Sequence, residues 1–273
     1  MFFAFFRLFF IAAATIVSVV LVIIGLRLVG QKQSYSLVPH PFLNQSRIVV
    51  AWGGSPHGVS APFSAQAYKT AADEDFVLGL DLRLSRDGVW YISPDKYLAN
   101  HKDFLTHKNS DELDKEHLPN STSPILRFDS LVHQMPKSRY YIVVDNPASP
   151  YLEALFKTIE SLHIEEQIIL SSPFADTTKF LRERSAKWLT DSTTAEIAKA
   201  KLLTSLFLES LITTTGEVMT LDRVNEPLMR ELRKRHMAVL FKTDDASLAT
   251  RDLFDKDLIT GIVTSRPSHF VSQ

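Results

Sequence analysis

From residue 47 onward two hydrophobic rhythms alternate along the chain. Short apolar runs rich in Val, Ile, Leu and aromatics read as strands at 47–52, 76–82, 140–145, 167–171, 186–189, 205–208, 238–241 and 261–264. Stripes with a helical period fall between them at 64–74, 127–134, 150–162, 176–184, 194–203, 224–235 and 246–255. The stretch 150–162 shows the pattern well, with Leu152, Leu155, Phe156, Ile159 and Leu162 on one side and Glu153, Lys157 and Glu160 opposite. Strands alternating with helices imply a parallel sheet, and eight such units suggest closure into a (β/α)8 barrel. A doubly wound open sheet uses the same elements in another order, which periodicity does not resolve.

The front of the chain follows a different rule. Residues 8–26 carry no charge and are bounded by Arg7 and by Arg27 and Lys32. At about 1.5 Å per residue this run spans a hydrocarbon core of roughly 30 Å. The expected organisation is an N-terminal transmembrane anchor over 1–30, a tether with Pro39 and Pro41 over 31–45, and one α/β TIM-barrel domain over 46–273. A cleaved signal peptide is the alternative, but Leu28-Val29-Gly30-Gln31 is a poor cleavage site. A short tail inside and the barrel on the extracytoplasmic side of a single-pass membrane protein is the expected topology.

Composition narrows the function classes. Thirty basic and 31 acidic residues give a formal charge of −1, so no nucleic-acid partner is expected, because neutralising phosphates needs a basic excess. The absence of cysteine removes thiolate catalysis, disulfides and cysteine-ligated zinc. In a barrel, function sits at the C-terminal ends of the strands. There the sequence places 52–57, 81–83, 93–95, Asp145 and Asn146, 171–174, Glu209, 242–245 and 265–267. None of these forms a nucleophile motif, a glycine-rich phosphate loop or a metal-spaced histidine pair.

The order of short motifs resembles the glycerophosphodiester phosphodiesterase family, whose barrels hydrolyse phosphodiesters with a divalent metal. Val49-Val50-Ala51-Trp52-Gly53-Gly54 stands where that family has an apolar strand ending in Ala-His-Arg-Gly. Gly79-Leu80-Asp81-Leu82-Arg83-Leu84-Ser85-Arg86-Asp87-Gly88-Val89 stands where it has Glu-Leu-Asp-Val-x-Leu-Thr-Lys-Asp-Gly-Val, and Pro94-Asp95 falls on its His-Asp. Ser110-Asp111-Glu112-Leu113, Ser123-Pro124-Ile125-Leu126 and Ile169-Leu170-Ser171-Ser172-Pro173-Phe174 match further points in order. Phe241-Lys242-Thr243-Asp244-Asp245 through Gly261-Ile262-Val263-Thr264-Ser265-Arg266-Pro267 is similar to Trp-Thr-Val-Asn-Asp through Gly-Ile-Ile-Thr-Asp-Arg-Pro. The resemblance covers residues 45 to 270.

The departures bear on the chemistry. The family's two proton-transferring histidines fall on Trp52 and Pro94, neither of which moves a proton. One metal-ligating glutamate falls on Ala61 or Pro62, another on Gly79, and a third on Val144 or, with a one-residue slip, on Asp145. Asp81 alone is retained in register, so Asp81 and Asp145 are the remnant metal candidates. One or two carboxylates hold Mg²⁺ or Ca²⁺ weakly. The resemblance therefore implies a catalytically silent relative with no cofactor expected, acting in binding, regulation or scaffolding at the membrane. Its ligand is expected to be phosphate-bearing or lipid-derived, with Trp52, Asp81, Arg83, Asp95 and Lys242 lining the pocket and a protein partner as a further option. Two alternatives stay open: an active diester hydrolase of lipid metabolism with a rearranged site using Mg²⁺ or Ca²⁺, and a structural partner in an envelope complex.

Other polar residues weigh less. Trp52 is read as filler for vacated space or as a stacking platform, and Asp81 as a remnant ligand or as the ion-pair partner of Arg83, Lys242 or Arg266. His57 is read as a loop residue. His101, His107 and His117 lie at spacings that share no helical face and are read as a solvated excursion. Arg182, Arg184, Arg233, Lys234 and Arg235 fall late in helices, where cations suit the dipole.

Overall fold

The computed structural model describes residues 2–31, 40–44, 47–98, 103–146, 149–184, 187–213 and 216–270. Ten strands occur among them: β1 (Ile48–Trp52), β2 (Val77–Leu84), β3 (Trp90–Ile92), β4 (Leu126–Arg127), β5 (Tyr140–Val144), β6 (Ile168–Ser171), β7 (Leu189–Thr190), β8 (Val218–Leu221), β9 (Ala238–Lys242) and β10 (Gly261–Thr264). Eight are parallel and ordered β7-β6-β5-β2-β1-β10-β9-β8. The two ends meet at a parallel bridge between Asp191 and Val218, backed by Ser192 N–H donating to Val218 O at 2.9 Å. This closes a parallel barrel, as expected of eight β/α units.

The helices are α1 (Phe2–Gln31), α2 (Ala65–Asp73), α3 (Ser110–Leu113), α4 (Phe128–Gln134), α5 (Leu152–Ser161), α6 (Ala175–Arg184), α7 (Thr194–Ser205), α8 (Glu226–Lys234) and α9 (Leu248–Asp255). Two of the barrel helices bury clear apolar stripes, Leu152, Leu155, Phe156 and Ile159 on α5 and Leu228, Met229 and Leu232 on α8. Inside the barrel, Ile48, Val50, Val77, Tyr141, Ile169, Leu189, Val218, Ala238, Leu240 and Val263 form one core. Phe42, from the 3-10 turn Pro41–Leu43, completes that core from below. His40 and Arg139 hold the turn in place, through a 2.7 Å contact with Lys187 O and a guanidinium 5.5 Å from the Phe42 ring. The end of the expected tether is thus built into the barrel floor.

Two expected strands are corrected. Residues 205–208 are not a strand: Ser205 ends α7 and Leu206 to Leu208 turn away from it, with the sixth strand of the expected set supplied instead by β8. The apolarity of Leu206 and Phe207 suggested burial, yet both side chains are exposed. As a consequence Glu209, expected at the mouth, sits in the 3-10 turn Glu209–Leu211 at the opposite, lower end, where its carbonyl accepts from Arg235 at 2.9 Å. The run at 186–189 is displaced to β7, with residue 186 outside the described set.

The excursion after β2 is more ordered than a solvated loop. β3 pairs antiparallel with β2 and β4 with β3, over a floor of buried Leu98, Leu105, Leu113, Leu118 and Ile125. His107 and His117 remain exposed on it, and His101 lies outside the described residues. At the front, α1 packs against Glu209–Leu211 and shows apolar side chains to its surroundings. Among the described residues no helix is long and apolar enough to cross a membrane. The uncharged sequence run 8–26 includes side chains outside that set.

Candidate functional site at the barrel mouth

Strand ends β1, β5, β6, β7, β8 and β9 surround an open cleft of about 490 Å³. Trp52 ends β1 beside Gly79 of β2, its register partner. A Cβ on Gly79 would lie 2.9 Å from Trp52 Cε3 and 3.0 Å from its Cα, so a larger residue at 79 and this indole exclude one another. The ring stands edge-on to Tyr141 at 6.2 Å, and the Lys242 ammonium lies 5.3 Å from its centre. Just beyond, Gly53 and Gly54 take positive φ values of 73° and 77°. That turn brings the chain onto Tyr68, whose hydroxyl donates to Gly79 O at 3.1 Å.

The acids are arranged around an arginine. Arg83 points inward from β2, its Nη1 2.6 Å from Asp145 Oδ2 and its Nε donating to Ser93 O at 3.1 Å. The fork therefore clamps the end of β5 to the end of β3. Asp81 shares this region. Burial pushes its carboxyl up to about 7, and the Asp145 charge adds to that, whereas Arg83 and Lys242 pull it down. Of the three cations considered for Asp81, Arg83 and Lys242 act on it, while Arg266 faces Asp244. Burial opposes ionisation of Asp244, but hydrogen bonds from Thr264 and Ser265 outweigh it and hold the carboxyl below its usual range.

Of the five expected pocket residues, Trp52 and Lys242 line the cleft, whereas Asp81 and Arg83 stand behind Asp145, outside the lining, and Asp95 is turned away, its Oδ1 accepting from Tyr97 N–H at 3.1 Å in a local turn. His57 is exposed and pairs with Glu74 at 2.6 Å. It borders a second, smaller cleft with Arg266 and His269.

Sequence reasoning missed Asp191, because it follows a strand whose bounds were misplaced. It is buried at the closing seam of the barrel, with Oδ1 accepting from Ser192 N–H at 2.7 Å and Thr220 N–H at 3.0 Å, and Oδ2 accepting from Tyr141 O–H at 2.5 Å. Burial raises its pKa against these hydrogen bonds. The residue type at the end of a parallel strand, Thr190-Asp191-Ser192, was the signal available.

A hard cation wants several oxygen ligands and little competing positive charge. Among the described residues no three His, Asp or Glu side chains come together to hold a metal. The two nearest carboxylates, Asp81 and Asp145, already face the guanidinium and the ammonium. The donor set does not fit Mg²⁺ or Ca²⁺. No histidine lines the cleft either, so the proton carriers at hand are carboxyls, Lys242 and Tyr141.

Neither a protein-family model nor a curated protein matches the sequence. Solved structures do match the fold. A glycerophosphodiester phosphodiesterase from Agrobacterium tumefaciens superposes with a TM-score of 0.65 at 18% identity, covering 82% of this chain and 99% of that one. The glycerophosphoryl diester phosphodiesterase domain of a Mycobacterium tuberculosis protein gives 0.67 at 14% identity, covering 82% and 97%. An Oleispira antarctica phosphodiesterase in complex with the product sn-glycerol-3-phosphate gives 0.61 at 14% identity, covering 82% and 95%. The described barrel, closed by parallel strands and opening on a cleft at their C-terminal ends, thus has the fold of the glycerophosphodiester phosphodiesterases.

Proposed function

We propose that this chain is a membrane-anchored, catalytically silent barrel that binds a phosphate-bearing ligand at its mouth. The observation that carries the reading is the Arg83–Asp145 clamp: a fixed positive group stands among the acids where metal-dependent chemistry needs a cation it can exchange. Trp52 and Pro94 supply no proton relay, and Gly79 with Trp52 leaves no room for a further carboxylate between β1 and β2. Lys242, over Trp52 in the cleft, offers an anionic group its charge partner.

The anchor reading rests on the uncharged run 8–26, the helical extent of α1 and its outward apolar side chains. The barrel stands on the extracytoplasmic side in this reading. One specific observation favours a second reading, a hydrolase with a rearranged site: Asp81, at about 7, suits proton transfer near neutral pH.

The test uses the full chain in lipid nanodiscs. Glycerophosphodiester hydrolysis with added Mg²⁺ or Ca²⁺ is expected to equal that of Asp81→Asn. Titration with sn-glycerol 3-phosphate is expected to quench tryptophan emission in the wild type and not in Lys242→Ala. Metal-dependent turnover lost in Asp81→Asn would establish the hydrolase instead. Absence of both turnover and quenching would leave a structural partner as the reading.

A further inference from the structure

The barrel helices close in a shared way at the lower end of the barrel. After α2, α5, α7, α8 and α9 the next residue but one takes a left-handed conformation: Asp75, His163, Phe207, His236 and Asp257, with φ between 52° and 61°. The residue that follows each then donates its N–H back to the helix, as Phe76 does to Ala71 O, Ile164 to Ile159 O, Leu208 to Leu203 O, Met237 to Leu232 O and Leu258 to Leu253 O. This is the Schellman closure, in which an apolar side chain just past the left-handed position packs back on the helix. The left-handed position itself points to solvent and favours glycine or a short polar residue.

At α7 that rule is broken. Phe207 holds the left-handed position with its ring 69% exposed, and Leu206 and Leu202, one turn apart on the same helix face, are 51% and 60% exposed. A bulky aromatic in this conformation gains nothing from the barrel core. Its neighbour does supply a reason. The turn that follows, Glu209–Leu211, is the one against which α1 packs, so the exposed apolar side chains of α1 and of the α7 tail stand at one end of the molecule.

We infer that the α7 tail, Leu202, Leu206 and Phe207, is a second membrane contact: an apolar foot that enters the lipid interface beside α1 and holds the barrel with its mouth away from the bilayer. The inference rests on the anchor reading of α1. The occupant is the lipid interface itself, because the foot immediately precedes the turn against which α1, the segment that the anchor reading places in lipid, packs. An exposed aromatic flanked by two leucines is the composition that an interface accepts.

The chain has no cysteine, so single cysteines can be labelled without competition. The full chain is reconstituted in phosphatidylcholine vesicles with an environment-sensitive fluorophore at Leu21→Cys, Phe207→Cys or Val59→Cys. Quenching by lipids spin-labelled at defined depths is then read. The expected order is deep quenching at 21, shallow quenching at 207 and none at 59, the last being an exposed mouth-side position. Quenching at 21 without quenching at 207 overturns the foot and leaves the anchor standing. Quenching at 59 overturns the orientation. No quenching at 21 overturns the anchor reading and the foot together. Independently, Phe207→Asn in detergent is expected to melt at an equal or higher temperature, because asparagine tolerates the left-handed backbone. A fall of several degrees would show that the ring packs structurally and would overturn the assignment.

Discussion

At the scale of single residues, Asp81 makes the site's electrostatics measurable. Its carboxyl ionises near 4 in the unfolded chain and at about 7 in the folded one, so between those values the folded state holds the extra proton. Stability is therefore fully supported below about pH 4 and declines as pH rises to about 7, by at most about 1.4 kcal/mol per pH unit. Asp191 acts in the same sense, whereas Asp87, Asp114, Asp222 and Asp244 have lowered values and act in the acid range. Urea midpoints measured from pH 5 to 8 should fall in the wild type and fall less steeply in Asp81→Asn, where Asp191 still contributes; equal slopes would contradict the assignment. Much of this site was legible in the sequence, since Trp52, Asp81, Arg83, Asp145 and Lys242 do come together. What could not be read was partnership. Whether Arg83 meets Asp81 or Asp145 depends on strand register, and Asp95 was lost to a local turn bond.

At the scale of elements, β1 and β2 show two departures acting as one unit. Trp52 and Gly79 face each other across the ladder, and a Cβ at 79 would meet both the indole and the backbone of Trp52. Gly79→Ala is expected to lower stability by about 1–3 kcal/mol. Adding Trp52→Leu should return about 1 kcal/mol of this in a double-mutant cycle, and only part, because the backbone contact remains. Additive effects by chemical denaturation would refute the coupling. The α7 segment shows why apolarity misleads: Ser205-Leu206-Phe207-Leu208 has a strand's composition, yet a helix closure claims it. The N-terminal end of α7 was legible by contrast. Thr193 and Glu196 form a capping box, and Arg182 binds the same Glu196 through two nitrogens at 2.9 Å.

For the whole molecule, the alternation of strands and helices carried the fold, because a parallel strand buried on both faces leaves a strong apolar signal. Closure was less visible, resting on β7 and the Asp191–Val218 bridge, which are too short to pattern. The proposed membrane topology has its own check. With Val59→Cys as the sole thiol, a membrane-impermeant maleimide added to intact bacterial cells expressing the full chain should label it without lysis. Labelling only after lysis would reverse the orientation.

Phe42 gives the floor of the barrel a kinetic meaning. With the lower end filled by that ring, the mouth cleft is blind-ended, and whatever enters must leave by the same door. Such a vessel cannot pass a molecule through itself from one end of the barrel to the other.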